Sequence, residues 1–124
     1  MKIGIIGLGT VGEGVLKILA LENKNIKLKS GADLEVKYAC DLNIDREFSF
    51  DFDKAILTQD YKKILSDPEI DIVVELIGGE TIAKNIIMEA LNTKKHVSTA
   101  NKALVAKYGP QIISAAKDNC SLFL

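Results

Sequence analysis

The 124-residue sequence predicts a single α/β domain, with a mostly parallel sheet and helices on both of its faces. Strand-like runs alternate with helix-like segments from one end of the chain to the other, as in strand–helix–strand units. Two of the runs, KIGIIGLG at 2–9 and IDIVVELIGG at 70–79, are apolar almost without interruption. Such runs fit parallel strands that are covered on both faces.

The first half of the chain is predicted to begin with a buried strand at 2–9. Apolar residues with helical spacing then predict a helix over 11–22. The polar, turn-rich segment 23–33 is predicted to be a loop. The remaining predicted elements are a second strand over 34–42, a short third strand at 55–58 and a short helix over 60–68 that stops before Pro68.

The second half begins with the strand at 70–79 and continues with helical segments. Thr81 is the expected N-cap of the next helix. Gly109 and Pro110 are expected to break the last helical region in two. The predicted elements are a helix over 81–93, a strand over 96–99, helices over 101–107 and 110–118, and a strand at 120–124.

Composition and charge exclude several classes of function. The formal net charge is −1 with both signs mixed along the chain, so no basic stripe for nucleic acid is present. The N-terminal apolar run is short and glycine-rich, which argues against a signal peptide or a membrane span. Cys40 and Cys120 belong to no Cys/His cluster, so neither a disulfide framework nor a metal site is predicted. We expect a cytoplasmic domain and, because the chain ends on the strand-like run CSLFL, a fragment of a longer protein.

The hexapeptide GLGTVG, Gly7 to Gly12, matches the pattern G-x-G-x-x-G between a predicted strand and a predicted helix. The first glycine permits the tight turn, the second lets a pyrophosphate approach the backbone, and the third lets helix and strand pack closely. The helix N-terminus offers unpaired N–H groups to the phosphates. The motif therefore predicts a Rossmann-type, doubly wound dinucleotide-binding domain, and the absence of a following Gly-Lys-Ser/Thr excludes a P-loop.

An acidic residue at the end of the second strand is the expected ribose ligand. Asp33 has the usual spacing of about 20 residues from the glycines but precedes the strand, whereas Asp41 lies at its carboxyl end. Ligands of such sheets bind outside the carboxyl ends, so Asp41 is predicted to accept from a ribose hydroxyl. A carboxylate there repels a 2′-phosphate and favours NAD over NADP, although Arg46 is near enough in sequence to turn towards it.

The carboxyl ends of the fourth and fifth strands are predicted to flank the nicotinamide half of the cofactor. Gly78 and Gly79 close the fourth strand, and Thr99 and Ala100 close the fifth. Lys102 follows at the start of a helix, where it either faces water or points into the crevice to neutralise charge and take part in proton transfer.

Three segments together resemble the N-terminal cofactor-binding domain of homoserine dehydrogenase: IGLGTVGEGV, VVELIGG and KKHVSTANKALVAKYG. That family oxidises L-homoserine reversibly to L-aspartate 4-semialdehyde with NAD(P), in the route to threonine and methionine. The resemblance implies a catalytic role for Lys102 close to nicotinamide and substrate, and a homodimer when the protein is full length. The residues that match the family's cofactor-binding segments are Gly7, Gly9, Thr10, Val11, Gly12, Ile77, Gly78, Gly79, Thr99, Ala100 and Lys102.

Two departures from the family pattern matter. Members often carry arginine or lysine just before the aspartate of the second strand, which suits NADP, but here that residue is Cys40. This adds to the preference for NAD and leaves use of both cofactors possible. The family's substrate and dimerisation domain, with a second catalytic lysine, lies beyond residue 124, so we expect the fragment alone to be inactive.

Several polar residues have expected structural roles. Glu75 lies inside an apolar strand, where a buried carboxylate is costly without a partner, so a structural role is favoured over a catalytic one. Asn101 is the expected cap of the helix after the fifth strand. Cys40 and Cys120 are predicted to be packing residues, and Lys94 and Lys95 to be solvated.

Two other functions compete with the dehydrogenase interpretation. Rossmann oxidoreductases of the glucose-fructose oxidoreductase type share this layout but place Glu-Lys-Pro after the corresponding strand, where this chain has Ala100-Asn101-Lys102. A non-catalytic nucleotide-sensing module would share the glycine loop and the sheet, but it has no need of a Thr-Ala-Asn-Lys segment.

Overall fold

The computed structural model describes residues 1–124 and contains five strands that form one sheet, all parallel, in the order β3-β2-β1-β4-β5. The strands are β1 (Lys2–Ile6), β2 (Glu35–Cys40), β3 (Leu57–Thr58), β4 (Ile70–Glu75) and β5 (His96–Thr99). The helices are α1 (Thr10–Leu21), α2 (Asn23–Ser30), α3 (Lys62–Leu65), α4 (Thr81–Asn92) and α5 (Lys102–Asp118), and a 3-10 turn spans Lys54–Ile56. The predicted α/β class and parallel sheet are confirmed.

Two apolar clusters, one on each face of the sheet, form the core. Alternate residues of a strand point to opposite faces, and β1 shows this directly: Ile3 and Ile5 pack with Leu16 of α1, whereas Ile6 packs with the cluster of α3, α4 and α5. Helices therefore cover both faces, as expected of a doubly wound sheet.

The order of the strands reverses direction between β1 and β4. The chain moves outwards from β1 to β2 on one side and from β4 to β5 on the other. The loops after β1 and β4 therefore diverge to opposite faces and leave a crevice at the carboxyl edge, which is where ligands of open α/β sheets bind.

The segment predicted as a loop at 23–33 contains a helix, so that prediction is wrong. Helix α2 spans Asn23–Ser30, buries none of its residues and ends at Gly31 in the left-handed conformation (φ 74°). A helix with no buried residue lacks the apolar periodicity by which helices are recognised in a sequence. Its polar, lysine-rich composition therefore looked like that of a loop.

The predicted break at Gly109 and Pro110 is also wrong, because α5 runs unbroken from Lys102 to Asp118 with Pro110 inside it. An interior proline costs about 3 kcal/mol. Helix α5 also buries Leu104 and Ile112 completely. Burial of such side chains contributes roughly 1.5–3 kcal/mol each, enough to offset the proline.

Four smaller predictions also need correction. Thr81 is the first residue of α4 and not its N-cap. The N-cap is Glu80, whose side chain forms no capping hydrogen bond. The predicted strand at 120–124 forms only one bridge, Phe123 with Val97. Cys120 is exposed and does not pack in the core.

Lys95 is the fourth correction, because it is 4% exposed and not solvated. Its Nζ donates to the carbonyl oxygens of Asp67 (2.6 Å) and Ile70 (3.0 Å) at the amino edge of the sheet. Desolvation by burial lowers its pKa.

No helix has the length and apolar character needed to span a membrane.

Candidate functional site

The glycine loop joins β1 to α1 at the carboxyl edge of the sheet, and two of its glycines are required by close packing. Gly7 has φ +103°, and a Cβ there would lie 2.7 Å from the carbonyl carbon of Leu76 in the loop after β4. A Cβ on Gly12 would overlap the carbonyl oxygen of Gly7. These two positions bring α1 against the end of β1, so any larger residue displaces the helix.

Gly9 differs from the other two, because nothing lies within 4 Å of the position that a Cβ would take. It is the N-cap of α1, and no side chain caps that helix. The first turn of a helix carries N–H groups without intrahelical partners, together with the positive end of the helix dipole. The open space above Gly9 therefore suits an anion such as a pyrophosphate.

A cleft of about 460 Å³ opens between the glycine loop, the end of β2 and the loop after β4. Asp41 follows β2 directly and lines this cleft. Its Oδ2 accepts from the backbone N–H of Leu8 at 2.8 Å, and its Oδ1 from that of Asn43 at 3.3 Å. The carboxylate is thus held beside the glycine loop, with lone pairs left for a further donor.

Arg46 is bonded to the glycine loop and to α1. Its Nη1 lies 3.0 Å from the Oε2 of Glu13, its Nη2 donates to the carbonyl oxygen of Leu8, and its guanidinium lies 4.3 Å from the ring centre of Phe48. Glu13 also accepts from the backbone N–H (2.8 Å) and hydroxyl (2.9 Å) of Ser49. The Ser49 N–H and then Arg46 lower the pKa of Glu13 from 4.5 to about 2.

A second crevice, of about 260 Å³, lies between the glycine loop and the loops after β4 and β5. Val11, Gly78, Ala100 and Lys102 line it. Because Gly78 also lines the larger cleft, the two cavities share one wall and follow each other along the carboxyl edge. Lys102 is exposed at the first turn of α5, and its side chain takes part in none of the ion pairs.

Asn101 caps α5, as predicted: its Oδ1 accepts from the N–H of Leu104 at 3.1 Å. Its Nδ2 donates to the carbonyl oxygen of Gly79, which joins the β4–α4 loop to the β5–α5 loop. Lys102 therefore begins a helix whose first turn is fixed to the opposite wall of the crevice.

The predicted site residues gather at one edge of the sheet, but not all of them face a cavity. Gly12 is buried beneath the loop, Thr10 is exposed on α1, and Gly79 has φ +74° and is bonded through its carbonyl oxygen. The residues that line the two cavities or the shallow surface beside Lys102 are Gly7, Gly9, Val11, Asp41, Ile77, Gly78, Thr99, Ala100 and Lys102.

Sequence reasoning missed part of the cleft wall. Gln59, Tyr61 and Ile82 line it, and Gln59 also donates to the carbonyl oxygen of Leu42 at 2.8 Å. Gln59 directly follows β3. The rule that ligands lie beyond the carboxyl ends of strands could therefore have identified it. Tyr61 and Ile82 carry no comparable signal in the sequence.

The comparison with known proteins gives a consistent result. Residues 7–124 match the family model described as homoserine dehydrogenase, NAD binding domain. The homoserine dehydrogenase of Bacillus subtilis is 36% identical over 124 residues, which are 99% of this chain and 29% of that protein. A crystal structure of a homoserine dehydrogenase from Thiobacillus denitrificans has a TM-score of 0.87 and 40% identity, and the match covers 99% of this chain and 28% of that one.

A more distant structure, a hyperthermophilic archaeal homoserine dehydrogenase mutant in complex with NADPH, shares the fold with a TM-score of 0.72 and 20% identity. The chain spans 29% of the Bacillus subtilis protein, 28% of the Thiobacillus denitrificans chain and 43% of the archaeal chain. The family match extends from the glycine loop through the β5–α5 loop, so it includes every residue of the two cavities but Ile6. This chain belongs to the homoserine dehydrogenase family and is its NAD-binding domain.

Proposed function

We propose that a dinucleotide lies along the carboxyl edge of the sheet, with its pyrophosphate at Gly9 and the first turn of α1. The open backbone at Gly9 is the observation that carries this proposal. The adenosine half then occupies the larger cleft beside Asp41, and the nicotinamide half the crevice beside Lys102. Thr10 and Val11 offer first-turn N–H groups to the phosphates.

Within this proposal the cofactor is NAD rather than NADP. Asp41 presents a carboxylate where a 2′-phosphate would bring like charge, which costs binding energy. Arg46, the nearest cation, is already bonded to Glu13 and to the carbonyl oxygen of Leu8, so recruiting it would break those bonds. Cys40 is neutral, because burial raises the pKa of its thiol to about 11.

We further propose that the whole protein oxidises L-homoserine to L-aspartate 4-semialdehyde in the cytoplasm, as a homodimer with a second region that binds the substrate. The family membership supports the reaction, and the greater length of the relatives supports the second region. Bound nicotinamide would supply the hydride acceptor. Lys102, whose side chain forms no ion pair in the domain, would orient or polarise the substrate hydroxyl at the crevice.

A titration of nicotinamide fluorescence tests the cofactor assignment. The chain has no tryptophan, so the reduced nicotinamide is observed without tryptophan fluorescence. We expect NADH to bind more tightly than NADPH and Asp41→Ala to weaken NADH binding, whereas tighter NADPH binding would overturn the assignment of Asp41.

Lys107→Met is a matched control for Lys102→Met, because Lys107 lies on α5 but pairs with Glu80 at 3.0 Å. In the whole protein, Lys102→Met should lower kcat with homoserine and Lys107→Met should not.

A further inference from the structure

Glu75 is a fully buried carboxylate in the wall of the smaller crevice, where the nicotinamide half of the cofactor is proposed to lie. It is 0% exposed, and it pairs with Ile6 of β1 on one side and with Thr99 of β5 on the other. No lysine or arginine forms an ion pair with it. A buried carboxylate is costly unless hydrogen bonds satisfy it, so its partners should reveal its role.

Both oxygens of Glu75 are bonded to the loops that form the crevice. Oε1 accepts from the backbone N–H of Ile77 at 2.9 Å, in the β4–α4 loop. Oε2 accepts from the hydroxyl of Thr99 at 2.6 Å, at the end of β5. These bonds fix the starts of two loops that must hold a constant separation if a planar ring is to fit between them.

The hydrogen bonds continue from Thr99 across the crevice. The Thr99 hydroxyl donates its hydrogen bond to Glu75, and the hydroxyl oxygen accepts another from the backbone N–H of Asn101 at 3.1 Å. Asn101 in turn donates to the carbonyl oxygen of Gly79 and accepts from Leu104. The bonds therefore form a closed path that runs from Glu75 through Thr99 and Asn101 to the loop that Glu75 also holds.

The direction of these bonds requires an acceptor at both oxygens of residue 75. Glutamine has nearly the same shape but offers one oxygen and one NH₂ group. If its oxygen accepts from Ile77, its NH₂ group faces the Thr99 oxygen, and the hydroxyl proton loses its acceptor. If the amide is reversed, two donors meet at Ile77. Either arrangement leaves a buried polar group unsatisfied.

We propose that Glu75 is a positioning residue for the nicotinamide half of the site, acting through Thr99 and Asn101 on the loop that begins α5 at Lys102. The inference rests on the proposed cofactor position. It does not extend to the adenosine half, since Asp41 and the glycine loop are held by separate bonds.

The test compares NADH with ADP-ribose, a probe that lacks the nicotinamide ring, on the chain and three variants. Glu75→Gln and Thr99→Val should each lower the affinity for NADH about tenfold, which is the effect of losing one hydrogen bond to a charged group. Each should lower the affinity for ADP-ribose by about twofold or less. Thr99→Ser keeps the hydroxyl and should bind both ligands like the wild type. Thr99→Val is close to isosteric and suits a strand, so it keeps the test valid if Glu75→Gln folds poorly.

Each other outcome is decisive. Unchanged NADH binding in Thr99→Val, or equal weakening of NADH and ADP-ribose, overturns the positioning role and leaves Glu75 as a residue of the general fold. A wild-type chain that binds ADP-ribose but not NADH also overturns it. A wild-type chain that binds neither ligand overturns the proposed function itself.

Discussion

Replacing Gly12 with alanine tests the packing of the glycine loop, and Gly14 on the same helix supplies a matched control. A Cβ on Gly12 overlaps the Gly7 carbonyl oxygen, which belongs to the backbone and cannot rotate aside, whereas a Cβ on Gly14 meets nothing within 4 Å. Glycine to alanine inside a helix stabilises a protein by about 0.5–1 kcal/mol when the space is free. Overpacking typically costs about 1–3 kcal/mol.

The gain in helix propensity from glycine to alanine is common to both variants. The difference between their free energies of unfolding therefore isolates the cost of the steric overlap at Gly12. We expect Gly14→Ala to be more stable than wild type and Gly12→Ala to be less stable than Gly14→Ala by about 1–3 kcal/mol. Urea unfolding followed by circular dichroism measures both. NADH binding should be lost or much weakened only in Gly12→Ala, because displacing α1 moves the first-turn N–H groups. Equal stability of the two variants with unchanged NADH binding would show that the loop accommodates a Cβ at Gly12 without displacing α1.

The remaining predictions concern other parts of the domain. Asp41→Asn should lower the affinity for NADH by about tenfold or more and reduce the ratio of NADH affinity to NADPH affinity, both measured by the fluorescence titration. An increase in that ratio would contradict the role of the carboxylate. The lowered pKa of Glu13 means that its stabilising contribution is complete above pH 4.5 and is lost as the pH falls towards 2, so Glu13→Gln should flatten the acid unfolding curve in that range. A curve as steep as that of the wild type would contradict this. Lys95→Met should destabilise the domain by about 1–3 kcal/mol in urea, because a buried and a part-buried carbonyl oxygen lose their donor, whereas Lys94→Met, on an exposed lysine, should be nearly neutral. A thiol reagent at mildly alkaline pH should label Cys120 quickly and Cys40 slowly, since burial raises the pKa of Cys40 to about 11. Fast labelling that persists in Cys120→Ser would contradict that difference.

The sequence predicted the parts of the fold that depend on local pattern and chemistry. The apolar strands at β1 and β4, the glycine spacing after β1 and the Asn101 cap all follow from residue types at fixed positions. Helix α2 was missed because it has no buried face, and the continuity of α5 through Pro110 depends on packing against distant residues. The neighbours of Lys95 and Glu75 likewise become visible only when separate strands are brought together.

The same distinction applies to the candidate site. Gly7, Gly12 and Asp41 could be selected because a motif and a topological rule specify them. The sequence could not show that Arg46 bonds to Glu13 and to the carbonyl oxygen of Leu8, since Arg46 is 33 residues away from Glu13. Cofactor preference depends on whether that arginine is free, so it could be argued only after the contacts were known.

Amide NMR spectra of the chain with added NADH would locate the dinucleotide along the carboxyl edge of the sheet. We expect the largest chemical-shift changes at Gly9, Gly78 and Lys102, smaller ones near Asp41, and none at Lys95 or His96 on the amino edge. Shifts concentrated on the amino edge, or shifts at Gly9 without any at Lys102, would contradict the proposed position of the dinucleotide.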